Sequence, residues 1–594
     1  MKGSPRLKAY LTVALAGLVA AASAVSCSKC GERTEEPAPV GKPDEPAVAA
    51  PDGLLADVYM STPNPSWSKL QRNVGGAFGI LPASASGTIC MAAGLDPFVA
   101  SEIDGTAPIF GAVAGDPANA GFVVAMKLLD LRKARTVLVD GETARFKAKE
   151  DAGVTELLPK GEAPGAGVVV GLSANGYVLV ARRSEDLLAL APYVTRTLTK
   201  KPLPTSGAVV FDVPRAALGS VMKPRLDDLW SMAKGFLLSE DEAMRRRHAG
   251  RAPDYGDPKA IVGAVDTWVT KRIAVVGDLE KMRVAFDVVD GGVSVVATMT
   301  PVSGGGPART WTDAMKLGDT APLAALPATT AAALLMRDGE EERAEQATAL
   351  EGLITSALGT RIAEGNAKKL HDVLQDLTKA RGEVFSAGVA WDEPRGLSLR
   401  APVRDSDAAS RGVRGAVDLA KVAPFKDLFH VRDITSSTEE LPGLGKVSVA
   451  TLVRDASRSS DTNSRARAVR AAGAPGADAG AARGRANELG LAWFVGGDAL
   501  SMASGEMPVV TLSAAARPER KLSDEPAVAR PLAVLAGSSS TVLVIQPLRF
   551  DVARANLPAA PLVIALGRKD ADATLRIDIA NGLLREVARW QMGL

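Results

Sequence analysis

RVAFDVVDGGVSVVATM, from Arg283 to Met299, decides the fold class. Val284, Phe286 and Val288 alternate with more polar neighbours, the period that sets one face of a strand against a core. Asp290-Gly291 supplies the two-residue turn that joins antiparallel strands most readily. PLVIALGRKDADATLRIDI, from Pro561 to Ile579, repeats the hairpin design near the other end of the chain. Each hairpin comes after an apolar run closed by proline, GAVVFDVP at 207–214 and STVLVIQP at 540–547.

Three further pairs fall in the same order. Leu81, Pro82, Ala83, Met91 and Gly94 align with Leu326, Pro327, Ala328, Met336 and Gly339; Thr155–Pro159 resembles Thr438–Pro442; and SEDLLAL from Ser184 matches GGDALSM from Gly496, both read as helix starts. The expectation is a duplicated chain. Hairpins with separate helical blocks imply α+β: two related halves of mainly antiparallel sheet with helical insertions. The halves span residues 54–300 and 308–594, joined by a Gly-rich linker at 301–307.

The insertions differ between halves. PKAIVGAVDTWVTKRI sets Ile261, Val265, Trp268 and Val269 on one helical face in the first. In the second, Glu340, Glu341 and Glu342 open a helix where its dipole favours acids, and Leu370, Val373, Leu374 and Leu377 follow at i, i+3, i+4 and i+7. Residues 455–488, rich in Gly, Ala, Ser and Arg, read as an expanded, disordered hairpin loop matching the Ala174-Asn175-Gly176 turn.

At 594 residues, 46% hydrophobic and 23% charged, the chain is globular and long enough for more than one core. Aromatics at 4% argue against a sugar groove of stacked rings. The N-terminus is basic (MKGSPRLK), then apolar (AYLTVALAGLVAAASAV), then small up to Ala24-Val25-Ser26-Cys27, the tripartite form of a secretory signal. It resembles the bacterial lipoprotein signal, with Ala24 where that family usually has Leu. The resemblance implies a signal peptide over 1–26, acylation of Cys27, and outer-membrane sorting because Ser28 stands where an inner-membrane retention Asp would. Simple secretion after Ala22-Ser23-Ala24 and a membrane anchor are the alternatives, the second disfavoured by a short, Ala-rich run.

Residues 27–53, rich in Pro, Glu, Gly and Ala, read as a flexible tether. Removing Lys2, Arg6 and Lys8 from the 70 basic residues leaves 67 against 68 acids, so net charge gives nucleic acid no support as a partner. Cys30 has Cys90 as its one disulfide candidate within the body, yet TICMAA makes Cys90 a buried apolar position.

The chemistry is thin. His248, His371 and His430 are the only histidines, and no HExxH or paired Cys/His set for a metal is present. There is no GxSxG elbow, and GLGKV at Gly443 lacks the spacing and hydroxyl of a phosphate loop. The chain therefore reads as non-enzymatic, with no cofactor or metal and Cys27 as its lipidation site: a lipid-anchored cell-envelope protein, facing the periplasm, that binds or scaffolds. Its partners would be an envelope protein, peptidoglycan or an apolar ligand, besides the membrane itself. A carrier holding an apolar or small ligand in a crevice between the halves is the alternative.

Overall fold

The computed structural model describes residues 45–594 apart from 76–80, 96, 143, 152, 162–167, 248–257, 393–394, 429–430, 455–487, 497, 552–556 and 592–594. Cys27, Cys30, the signal, His248, His430 and nearly all of the Arg-rich loop lie outside the described residues, as does most of the tether.

Among the described residues ten strands precede the Gly304–Gly306 segment: β1 (Leu54–Met60), β2 (Ile109–Ala114), β3 (Gly121–Lys127), β4 (Phe146–Asp151), β5 (Val154–Pro159), β6 (Val169–Ser173), β7 (Tyr177–Ala181), β8 (Val209–Pro214), β9 (Leu279–Val289) and β10 (Gly292–Pro301). They pair antiparallel as β1–β2–β3–β7–β6–β5–β4 and as β1–β8–β9–β10. Ten more follow: β11 (Thr330–Arg337), β12 (Val384–Ala390), β13 (Gly396–Pro402), β14 (Val431–Leu441), β15 (Gly445–Arg454), β16 (Glu488–Gly496), β17 (Ala499–Gly505), β18 (Ser539–Ile545), β19 (Leu562–Lys569) and β20 (Asp572–Ala580). Their order is β11–β12–β13–β17–β16–β15–β14 and β11–β18–β19–β20. The pairing pattern is repeated strand for strand, and the fold is α+β.

Each apolar run closed by proline, with its following hairpin, occupies the same place in both patterns, β8 to β10 and β18 to β20. The other three pairings of sequence are corrected. Leu81–Gly94 contains helix, capped where the Ser84 side chain accepts from the Gly87 N–H, whereas Leu326–Gly339 contains β11. The position equivalent to β11 is β1. Thr155–Pro159 lies in β5, but Thr438–Leu441 ends β14, one strand out of step; GGDALSM runs into β17, not a helix. Short Ala-rich runs fit either period, and the ladder partners of Thr330–Arg337 on both sides decide for strand. The Arg-rich loop, between β15 and β16, corresponds to the β5–β6 connection and not to the Ala174-Asn175-Gly176 turn, which joins β6 to β7.

Helices α1 (Pro63–Val74) and α2 (Ala85–Ala92) fall between β1 and β2, α3 (Ser184–Arg196) follows β7, and α4 (Lys223–Arg247) and α5 (Pro258–Gly277) come between β8 and β9. In the second set, α6 (Glu340–Leu358) and α7 (Glu364–Ala380) separate β11 from β12, α8 (Ser406–Ala420) follows β13, α9 (Pro508–Ala516) and α10 (Pro526–Leu535) precede β18, and α11 (Asn581–Gln591) ends the chain. Helices between the first two strands are thus common to both sets; those between β8 and β9 have no counterpart among the described residues of the second.

Two compact units result, and each is interleaved in sequence. The first comprises the chain up to Pro224 with Val276–Gly304 and Arg576–Leu594; the second comprises Arg225–Val275 and Gly305–Leu575. In the first unit α3 covers one sheet face through Leu187, Leu190 and Val194, over Phe110, Val123, Ala125, Leu179 and Ala181. The opposite face packs Cys90, Val99, Met126, Leu157 and Val178. A third cluster joins α1 to α11: Trp67, Leu70, Val74 and Val293 meet Leu584 and Ala588. In the second unit α8 lies on one face with Trp493 and Leu500, while α9 and α10 cover the other.

Candidate functional site

Ionised groups inside a protein need partners, and each unit holds a cluster of them. In the first unit Asp57 and Asp212 stand directly opposite each other in the β1–β8 ladder, an arrangement that repels unless each acid has its own cation. Arg283 grips Asp212 with two bonds of 2.6 and 2.7 Å. Asp57 accepts from Lys201 Nζ at 2.8 Å and from the Tyr193 hydroxyl at 3.0 Å. Burial alone would lower the Lys201 pKa, but the hydrogen bonds to Asp57 and Tyr193, with the Asp57 charge, outweigh it and raise it. Burial raises the Tyr193 pKa, so the phenol stays protonated and donates to the acid. The group is a closed ion cluster without a nucleophile at neutral pH.

The second unit has its own cluster. Asp338, 1% exposed, takes Arg343 Nη1 at 3.3 Å and the Arg381 guanidinium. Glu342, in the first turn of α6, has its carboxyl pKa raised by burial and then by the Asp338 charge, against the opposing pull of Arg272. Arg272 lies beside the rings of Trp268 and Trp311, 5.6 and 5.9 Å from their centroids. Of the opening acids, Glu340 pairs with Arg404 at 3.6 Å. His371 bonds Glu351 Oε2 through Nδ1 at 3.0 Å on the solvent side of α6 and α7, an ion-pair geometry with no third group among the described residues to orient it as a base. Among the described residues no group of His, Cys, Asp and Glu could hold a metal ion. Cys90 is buried in the core, and burial pushes its thiol up to about 12, so it is no thiolate nucleophile.

Two features have open surface. A cavity of about 220 Å³ opens in the second unit between the Ala321–Ala324 helix and α9. Its floor is β12, β13 and β17, where Ser386, Arg400 and Ser501 stand side by side in the ladders. Leu326, Val384 and Leu512 form apolar walls, Ala515 and Ala516 leave room, and Arg400 and Asp498 are exposed at the rim.

The other is the surface of α4 and α5. Trp230 Nε1 donates to Asp266 at 2.6 Å and Lys234 Nζ approaches the same carboxylate at 2.8 Å, clasping the two helices. Away from the clasp, Leu226, Leu229, Met232 and Phe236 recur at helical spacing, and all are exposed, as is Leu237. Phe236 is 66% and Trp268 of α5 is 59% exposed. The face of α5 read from sequence therefore turns Val265 and Trp268 outward, while Ile261 and Val269 are half-buried. No helix of the described residues is long and apolar enough to cross a membrane.

Neither a family model, a curated protein nor a solved structure matches the chain.

Proposed function

We propose that this is a lipid-anchored, non-enzymatic cell-envelope protein that docks a partner protein on the exposed apolar surface of α4 and α5. The anchor rests on the signal ending at Cys27 and its resemblance to the lipoprotein pattern, with the outer membrane, periplasmic face, as location. Docking rests on one observation: Leu226, Leu229, Met232 and Phe236 form an uncovered stripe, and contiguous exposed apolar surface marks interaction sites. On the same helix the acids Asp227, Asp228, Glu240, Asp241 and Glu242 are interspersed with the bases Lys223, Arg225, Lys234, Arg245, Arg246 and Arg247, a mixed polar face that suits a protein, since membrane-surface helices carry mainly Lys and Arg there.

Affinity purification of the full-length chain from its native envelope, beside the Leu229→Glu/Phe236→Glu variant, tests the docking. Wild type should retain a defined protein that the variant loses; identical recovery from both would refute the assignment. Replacing Cys27 by Ala should abolish acylation and release the chain from membranes, and unchanged membrane association would defeat the anchor.

A further inference from the structure

The cavity of the second unit has a solid counterpart in the first. Where Ser386, Arg400 and Ser501 run across β12, β13 and β17, the strands at the same place in the other pattern, β2, β3 and β7, carry the row Phe110, Ala125 and Leu179. Those three are almost wholly buried beneath Leu187, Leu190 and Val194 of α3. Over the cavity, α9 instead presents Leu512 and then only Ala515 and Ala516. One architecture is filled in one unit and hollow in the other, and hollowing a core forfeits contacts that large side chains would make.

Two polar groups around the hollow are unspent, whereas Ser398 donates its hydroxyl to the Gly388 carbonyl. Arg400 is exposed, and no carboxylate of the described residues pairs with it. Ser386, 1% exposed, gives its hydroxyl to no neighbour among them. Buried hydroxyls ordinarily find partners, and a guanidinium matches a carboxylate with two parallel bonds. We propose that this cavity binds a monocarboxylate of about eight carbons or fewer, its acyl group between Leu326, Val384 and Leu512 and its carboxylate on Arg400, with Ser386 or Ser501 donating a further bond. The volume lies under the range of drug-sized sites, ~300–1,000 Å³, which sets the chain short. Asp498 on the same rim repels a second negative charge, so a dicarboxylate should bind less tightly than a monocarboxylate. The site is independent of the α4–α5 docking surface.

Isothermal titration of the purified full-length chain with octanoate, octan-1-ol, leucine and succinate tests it. Octanoate should bind saturably at one site and more tightly than the other three. Arg400→Gln should weaken octanoate about tenfold and leave octan-1-ol unchanged. Ala515→Leu, which fills the space, should abolish both while thermal melting shows the chain still folded. Binding of octanoate that neither variant alters, preference for leucine or succinate, or no heat at millimolar octanoate would each overturn the proposal.

Discussion

Asp338 shows how much can hang on one side chain. It meets two guanidinium groups at a position closed to solvent, and Arg343 is itself 3% exposed. Asp338→Asn would strand Arg343 without a counter-charge, at a cost of about 3–5 kcal/mol. Urea unfolding measures this, and a loss under about 1 kcal/mol would mean that water reaches the pair. Cys90 supplies a pH test. Burial pushes its folded pKa up to about 12, above the ordinary thiol value of 9.0, so its stabilising contribution is complete below the unfolded pKa and is lost as pH rises from about 9 toward 12. Cys90→Ala should flatten that part of the stability profile, and at pH 8 the native thiol should resist a reagent that labels it in urea. The burial of Cys90 was legible because its neighbours in TICMAA are apolar. Ser386 and Arg400 were not, because small and polar residues in VFSAGVA and GLSLRAP give no sign of sharing a floor until the register aligns them.

Among elements, hairpins were the most legible. Asp290-Gly291 fixes its turn locally, and β9 and β10 pair around it. The first blocks of the repeat misled for a physical reason: Leu81–Gly94 and Leu326–Gly339 share composition, while helix or strand was settled by a serine cap in one and by β12 and β18 in the other. The α4–α5 pair carries its own prediction. Because its stripe is exposed, Leu229→Glu and Phe236→Glu should shift stability by no more than about 0.5 kcal/mol each, even as they abolish docking. Asp266→Ala removes the shared partner of Trp230 and Lys234. It should speed amide exchange in both helices while exchange in β12 and β13 stays as it was; uniform acceleration would show that the helices do not open as a separate unit.

On the scale of the whole molecule, interleaving outweighs the repeat itself. α11 is separated from α1 by most of the sequence, yet Leu584 and Ala588 close the cluster of Trp67, Leu70, Val74 and Val293, and Arg585 Nε donates to the Asn73 carbonyl at 3.0 Å. A fragment of residues 54–300 should therefore expose Trp67, with red-shifted fluorescence and a lower melting temperature than the same unit in the full chain; an unshifted spectrum would show the cluster closing without α11. Nothing in the sequence announces this, because NGLLREVARWQ reads as an amphipathic helix whose partner no local pattern names. Its consequence lies in time. At roughly 5–20 residues per second of synthesis, about 15–60 seconds separate the appearance of Val293 from that of Leu584. Throughout that interval Trp67, Leu70 and Val74 await the helix that covers them, so a chain cut short anywhere before its last residues carries an apolar mark of incompleteness at its beginning.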